Sequence, residues 1–203
     1  MKRTLLAPMI AALLGAAALQ PALAVGPTGE WAFRALLDGE PIGEHRFSVT
    51  GEGDERRVLS RAEFAVKFLG ITAYRYRHEA TERWRGNCLT ALDSTTDNDG
   101  KPESVRADQR DALKGCVMSF AYWNPAIQTQ TRLLNAQTGR LETVQVRRVG
   151  SGSVEVRGQP VEVSEFRITG AAQPIVVWYT PRGEWVGLDS IVAGGRKLSY
   201  RLP

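Results

Sequence analysis

From Arg57 to Trp84 the chain alternates apolar and polar residues with a period of two, and that rhythm decides the fold class. Val58, Ala62, Phe64, Val66 and Phe68 interleave with Arg57, Arg61, Glu63 and Lys67. Gly70 interrupts. Then Tyr74, Tyr76, His78, Ala80 and Trp84 interleave with Arg75, Arg77, Glu79, Thr81 and Arg83. Successive side chains of a strand point to opposite faces, so this spacing makes one dry face and one wet face. A helix, with its period of 3.6, would scatter both sets. A sheet wetted on one side only is an antiparallel sheet.

The rest of the chain keeps the rhythm. Trp31, Phe33, Ala35 and Leu37 share one face of a first strand, and His45, Phe47 and Val49 share one face of its return. "LDGEPIG" joins them, with Asp38-Gly39 as the hairpin turn. A strand from Cys88 to Thr96 leads into "DNDGKPE", a second hairpin signal centred on Asp99-Gly100. Weaker strands are predicted at 141–148, 154–157, 160–169, 175–180, 185–192 and 197–202. "VGSGS", "TPRGE" and "AGGRK" read as the turns between them. Val161 and Val163 have one parity while Phe166 and Ile168 have the other, which predicts a β-bulge near Ser164. Asn124 followed by Pro125 predicts the start of one short helix. The fold expected is mainly β: one strongly curved antiparallel sheet, a half-open or closed β-barrel with one short helix.

Residues 1–24, MKRTLLAPMIAALLGAAALQPALA, have the layout of a secretory signal: a basic start at Lys2 and Arg3, an apolar run, and Ala22-Leu23-Ala24 as a cleavage site. Cleavage near Ala24 leaves 25–203 as a single β domain, periplasmic or secreted. The full chain carries +4, and losing Lys2 and Arg3 leaves +2. So small and so mixed a charge is not a nucleic-acid signature. Two cysteines remain, Cys88 and Cys116. In an exported chain an even pair predicts a disulfide; the alternative is two free thiols, one of them a nucleophile.

Chemistry-bearing patterns are few. His78-Glu79-Ala80-Thr81-Glu82 is like the zinc-protease HExxH but ends in glutamate and sits on a strand, where Glu79 points away. A hydrolase or metalloenzyme centred on His78 and Glu82 is therefore the alternative reading, not the leading one. Asp93, Asp97 and Asp99 lack the glutamate of a calcium loop and read as a hairpin turn. "GSGS" is not a serine nucleophile elbow, and "AGGRK" is not a phosphate loop. No cofactor motif is present. His45 and His78 lie on the apolar parity beside Tyr74 and Tyr76: either a satisfied polar patch inside a barrel or the polar floor of a ligand cavity. Arg57, Arg61, Lys67, Arg75, Arg77 and Arg83 line the wet face, which is either a solvated face or a contact for an anionic membrane surface.

"CVMSFAYWNPAIQTQTRLLN", 116–135, departs from the alternation. Tied to Cys88, it reads as a corner that covers one end of the sheet, with a binding rim as the alternative. "LDGEPIGEHRF", "FAVKFLGITAYRYRHEATERW", "CLTALDSTTDNDGK", "CVMSFAYWNP" and "LLNAQTG" together resemble a family of exported bacterial proteins of unknown function, over nearly the whole mature chain. More loosely, "LDGEPIG" and the curved sheet are similar to the open β-barrels of periplasmic lipoprotein carriers, which bind acyl chains in an apolar concavity. The function expected is non-enzymatic binding of a lipid-like or apolar small ligand, with Tyr74, Tyr76, His78, Trp123, Trp178 and His45 as candidate lining. A cell-envelope interaction module with a filled core, exposing an aromatic patch around Tyr122 and Trp123, is the second reading.

Overall fold

The alternating segments do form strands. The computed structural model describes residues 28–110 and 112–203, with the side chain of Phe68 excepted; the expected signal peptide lies outside the described residues. The chain runs through β1 (Gly29–Leu37), β2 (Glu40–Thr50), β3 (Glu55–Phe68), β4 (Ile71–Arg85), β5 (Cys88–Asn98) and β6 (Lys101–Asp108). Three short strands follow: β7 (Met118–Ser119), β8 (Arg132–Leu134) and β9 (Leu141–Thr143). Then come β10 (Gln145–Val156), β11 (Gln159–Thr169), β12 (Ile175–Tyr179), β13 (Trp185–Ile191) and β14 (Lys197–Arg201). β7, β8 and β9 form a small sheet of their own within 116–144.

Eleven strands make one antiparallel sheet in the order β10-β11-β12-β13-β14-β1-β2-β3-β4-β5-β6. The end strands β10 and β6 do not pair, so the sheet is strongly curved but open. Irregular register interrupts five of its ladders, between Ala35 and Leu36, Val66 and Lys67, Arg83 and Trp84, Arg148 and Gly150, and Trp178 and Tyr179. Such irregularities bend a strand and increase its twist, which is how a sheet this wide curls instead of lying flat.

Two details of the sequence reading are corrected. The "VGSGS" stretch is no turn; it lies inside β10. The bulge expected near Ser164 sits on the partner strand instead, where Val149 is skipped opposite Glu165 and Phe166, while β11 pairs with β12 without a break from Ser164 to Ile168. Glycines at 150 and 152 carry no side chain to keep the alternation visible.

Two-residue turns at Asp38-Gly39, Leu69-Gly70 and Asp99-Gly100, with the loops 170–174 and 192–196, gather at one rim of the sheet, because each links strands that run the same way round. The concave face is covered in part by 116–144. Cys88 and Cys116 are disulfide-bonded, and the Leu89 amide donates to the Val117 carbonyl at 2.8 Å. From there β7 pairs in parallel with β8, and β8 antiparallel with β9. The short helix is a 3-10 turn, Pro125–Thr129, capped by the Asn124 side chain, which accepts from the Ala126 amide. A second 3-10 turn, Ala193–Gly195, lies in the loop before β14. Ile127, Leu133 and Leu134 drive the segment into the concavity: each is fully buried, worth about 1.5–3 kcal/mol apiece. Trp123 stands edge-to-face on Trp84 at 5.4 Å between ring centroids. Tyr179 donates its hydroxyl to the Tyr122 carbonyl at 2.8 Å, tying the same segment to the far side of the sheet.

Candidate functional site

The segment fills only part of the concavity. Between it and the sheet a hollow of about 680 Å³ remains, within the usual range for a small-molecule site. Its floor is deep: Val58, Ala80, Glu82, Ser119, Trp123 and Tyr200 line it and are all buried. Its mouth is marked by the lining residues that reach solvent, Ala172, Gln173 and Ala193 on the loops of the common rim and Ile191 at the end of β13. The walls are mixed, with Phe47, Ile175, Leu188 and Leu198 opposite Tyr76, His78 and Asn98.

Inward parity places the polar groups. Ala35 of β1 and Gly43 of β2 put no bulk in the way, so His45 reaches across β1 to Tyr200, with Nδ1 at 3.0 Å from the hydroxyl; its Nε2 lies 2.7 Å from Ser60 Oγ. Phe47 stacks on the His45 ring at 4.1 Å. Wrapped this way, His45 is held uncharged: burial, then the proximity of His78, pushes its pKa down to about 3. His78 pairs through Nδ1 with Thr96 Oγ1 at 2.8 Å, and burial lowers its pKa too. Tyr76 donates to Gln137 Oε1 at 3.2 Å and stacks on Phe64 at 5.4 Å. Glu82 is 6% exposed; burial raises its pKa, against bonds from Ser119 and from Trp84 Nε1, the latter at 2.9 Å. Burial likewise raises Tyr76, Tyr122 and Tyr200. The floor is therefore polar, with burial opposing charge on both its histidines and its carboxylate.

Of the candidate residues, the structure brings four to the hollow: His45, Tyr76, His78 and Trp123. Two are elsewhere. Trp178 is turned to the outer face, because the inward positions of β12 are Ile175, Val177 and Tyr179. There its ring lies over Gly187 and under the Arg201 guanidinium, 4.4 Å from the ring centroid, and Arg201 is held by Asp189 at 2.7 Å. Tyr74 has the inward parity but stands beyond the hollow, donating to Asn98 Oδ1 at 2.8 Å. His78 and Glu82 do not meet: four residues along a strand are about 13 Å, and each has its own partners. No group of three potential metal ligands is assembled among the described residues. The aromatic patch expected around Tyr122 and Trp123 is covered, with Trp123 only 1% exposed. Asp97 and Asp99 accept turn amides from Gly100 and Arg75, and Asp93 pairs with Arg106.

Sequence reasoning passed over Ser60, Thr96 and Tyr200 as site residues and named Glu82 only for the metalloenzyme alternative. All four are polar side chains on the inward parity of their strands, a signal that was there to use. The mouth loops and Gln137 follow no period and had no such signal.

Comparison with solved structures finds a crystal structure of a β-barrel-like protein of domain of unknown function DUF1849 from Brucella abortus, with a TM-score of 0.63 at 13% identity, over 89% of this chain and 98% of that one. At that identity the likeness is one of fold alone, and it is the fold read from the alternation. Comparison with curated proteins returns no match. The family model of the domain of unknown function DUF6134 matches residues 33–203, from the first strand through β14 to the last residue, and the chain belongs to that family.

Proposed function

We propose that this protein is exported and acts without catalysis, holding a lipid-like molecule in the hollow between its curved sheet and the 116–144 segment. The observation that carries this reading is the hollow itself: about 680 Å³, deep, with an apolar wall and a polar floor. A chain of methylenes would lie along Phe47, Ile175, Leu188 and Leu198. A polar end would meet His45, Tyr200, Ser60 and Tyr76. Because His45 is neutral and Glu82 resists ionisation, the floor suits an uncharged polar group, an ester, amide or hydroxyl, better than a bare anion. The export signal read in 1–24 and the Cys88–Cys116 disulfide support an oxidising compartment.

Native mass spectrometry of protein purified from a bacterial host is expected to show a co-purified mass, and a fluorescent fatty acid to enter the emptied protein. Ala172→Trp places a large ring at the exposed mouth, away from the packed core. It is expected to cut uptake by at least about tenfold while leaving the unfolding midpoint within the small range of surface changes. A bare chain mass together with no uptake would sink the reading.

A further inference from the structure

The β3–β4 hairpin is longer than its neighbours. The last rung flanked on both sides is Phe64 with Tyr76, where Gly43 of β2 and Asn98 of β5 still pair. Beyond it, Ala65 to Phe68 pair only with Arg75 to Ile71. Apart from the Asp99 turn, which touches the Arg75 backbone, the hairpin leaves the sheet as a two-stranded arm about 13 Å long. It projects from the rim that carries the mouth of the hollow.

The tip of this arm is apolar. Leu69 is 86% exposed and Ile71 73% exposed. Among the described residues, four turns pair a non-glycine residue at positive φ with a glycine: Asp38-Gly39, Asp99-Gly100, Arg157-Gly158 and Leu69-Gly70. Three carry a charged residue at the first position, where Asp also fits the conformation. Only the arm carries leucine, at φ 50° beside 52–54° for the others, and at 86% exposure burial does not repay the strain. Neither turn chemistry nor core packing accounts for Leu69. Just behind the tip, Lys67 and Arg75 are exposed and make no ion pair among the described residues. Arg77, next along, is flanked by Glu63 and Asp97 on the neighbouring strands and is not counted with them. Tyr74 sits at the base of the arm, an aromatic ring with a polar end.

We propose that the arm is a bilayer wedge, and that it docks the mouth of the hollow on an anionic membrane surface. Leu69 and Ile71 enter the acyl boundary, Lys67 and Arg75 meet the headgroups, and Tyr74 lies at the level of the interface. Size decides against a protein partner: a stable protein interface buries on the order of 1,000 Å² or more, which two side chains on a narrow tip do not offer. A few apolar side chains with adjacent cations suffice for interfacial membrane binding. The proposal goes beyond ligand binding and does not depend on what the hollow holds.

Flotation of the purified protein with vesicles tests it. The protein is expected to float with vesicles of phosphatidylethanolamine and phosphatidylglycerol, and less with phosphatidylcholine alone. Leu69→Asp with Ile71→Asp should lower the bound fraction by at least about tenfold, as loss of two inserted side chains requires. Lys67→Glu with Arg75→Glu should weaken binding and flatten its salt dependence. All four positions are exposed, so fatty-acid uptake and the unfolding midpoint of the variants should stay at wild-type values, separating this test from that of the hollow. Wild-type protein that stays in the soluble fraction, Asp variants that float as well as wild type, or equal binding to phosphatidylcholine would overturn the proposal.

Discussion

His45 and Tyr200 meet at 3.0 Å although 155 residues of chain separate them. They sit on either side of β1, and the contact exists because Ala35 and Gly43 leave the space between them empty of side chain. The polar floor of the hollow is thus a product of small residues at two inward positions as much as of the histidine and the tyrosine.

The neutral state of His45 makes stability depend on pH. Its pKa falls from 6.5 to about 3 on folding, so a proton binds the unfolded chain first as pH drops. The stability is intact above about pH 6.5 and is lost toward pH 3, at most about 1.4 kcal/mol per pH unit. His78 slopes the same way. Urea unfolding between about pH 5 and 6.5 should show this slope, and His45→Gln, which can still bond Ser60 and Tyr200, should reduce it by about one proton's worth. An unchanged slope in the variant would mean that His45 is not the group held neutral.

Glu82 acts in the opposite sense. Its folded pKa is raised by burial, so its contribution is present below about 4.5 and is lost as pH rises through the folded value. Glu82→Gln keeps an acceptor for Trp84 Nε1 and removes the ionisation. The variant is expected to gain stability of order 1 kcal/mol at pH 7 to 8 and to gain nothing near pH 4. Denaturation midpoints at the two ends of that range decide the matter.

The Cys88–Cys116 bond closes a loop across a sequence separation of 28 and anchors the covering segment. Replacing both cysteines by serine should cost about 3–4 kcal/mol in the chain-entropy model. The loss should appear locally as well: hydrogen exchange of the Leu89 amide, bonded to the Val117 carbonyl, should quicken more than that of amides in β1.

Gly187 lies under the Trp178 ring on the outer face. A Cβ there would come 2.6 Å from Trp178 Cε3, so Gly187→Ala should overpack the site and cost about 1–3 kcal/mol. In a Trp178→Leu background the same change should cost much less, since neighbouring substitutions couple. Equal costs in both backgrounds would show that the ring does not lie where Gly187 requires it.

How far the sequence could be read depended on periodicity. Val58 to Trp84 announced strands, faces and pairing sense, because side-chain direction in a strand follows from chain position alone. The Asn124-Pro125 start of the 3-10 turn was legible for a similar local reason: cap chemistry involves residues a few positions apart. In β10 the signal failed, since Gly150 and Gly152 have no side chain to alternate and the stretch read as a turn. Trp178 failed differently. It is apolar and ended up buried, yet it faces outward, because Arg201 and Gly187 cover it from the neighbouring strands, and no local pattern in β12 records them.

By itself, then, the sequence determined that this protein is an antiparallel sheet with one dry face, and which residues of β1 to β4 lie on it, because those are properties of single strands. The order of the strands, the five ladder irregularities that curl the sheet, and the fraction of the concavity that 116–144 leaves unfilled were decided only in three dimensions. A hollow is a difference between two packed volumes contributed by residues far apart in the chain, and no stretch of sequence contains that difference.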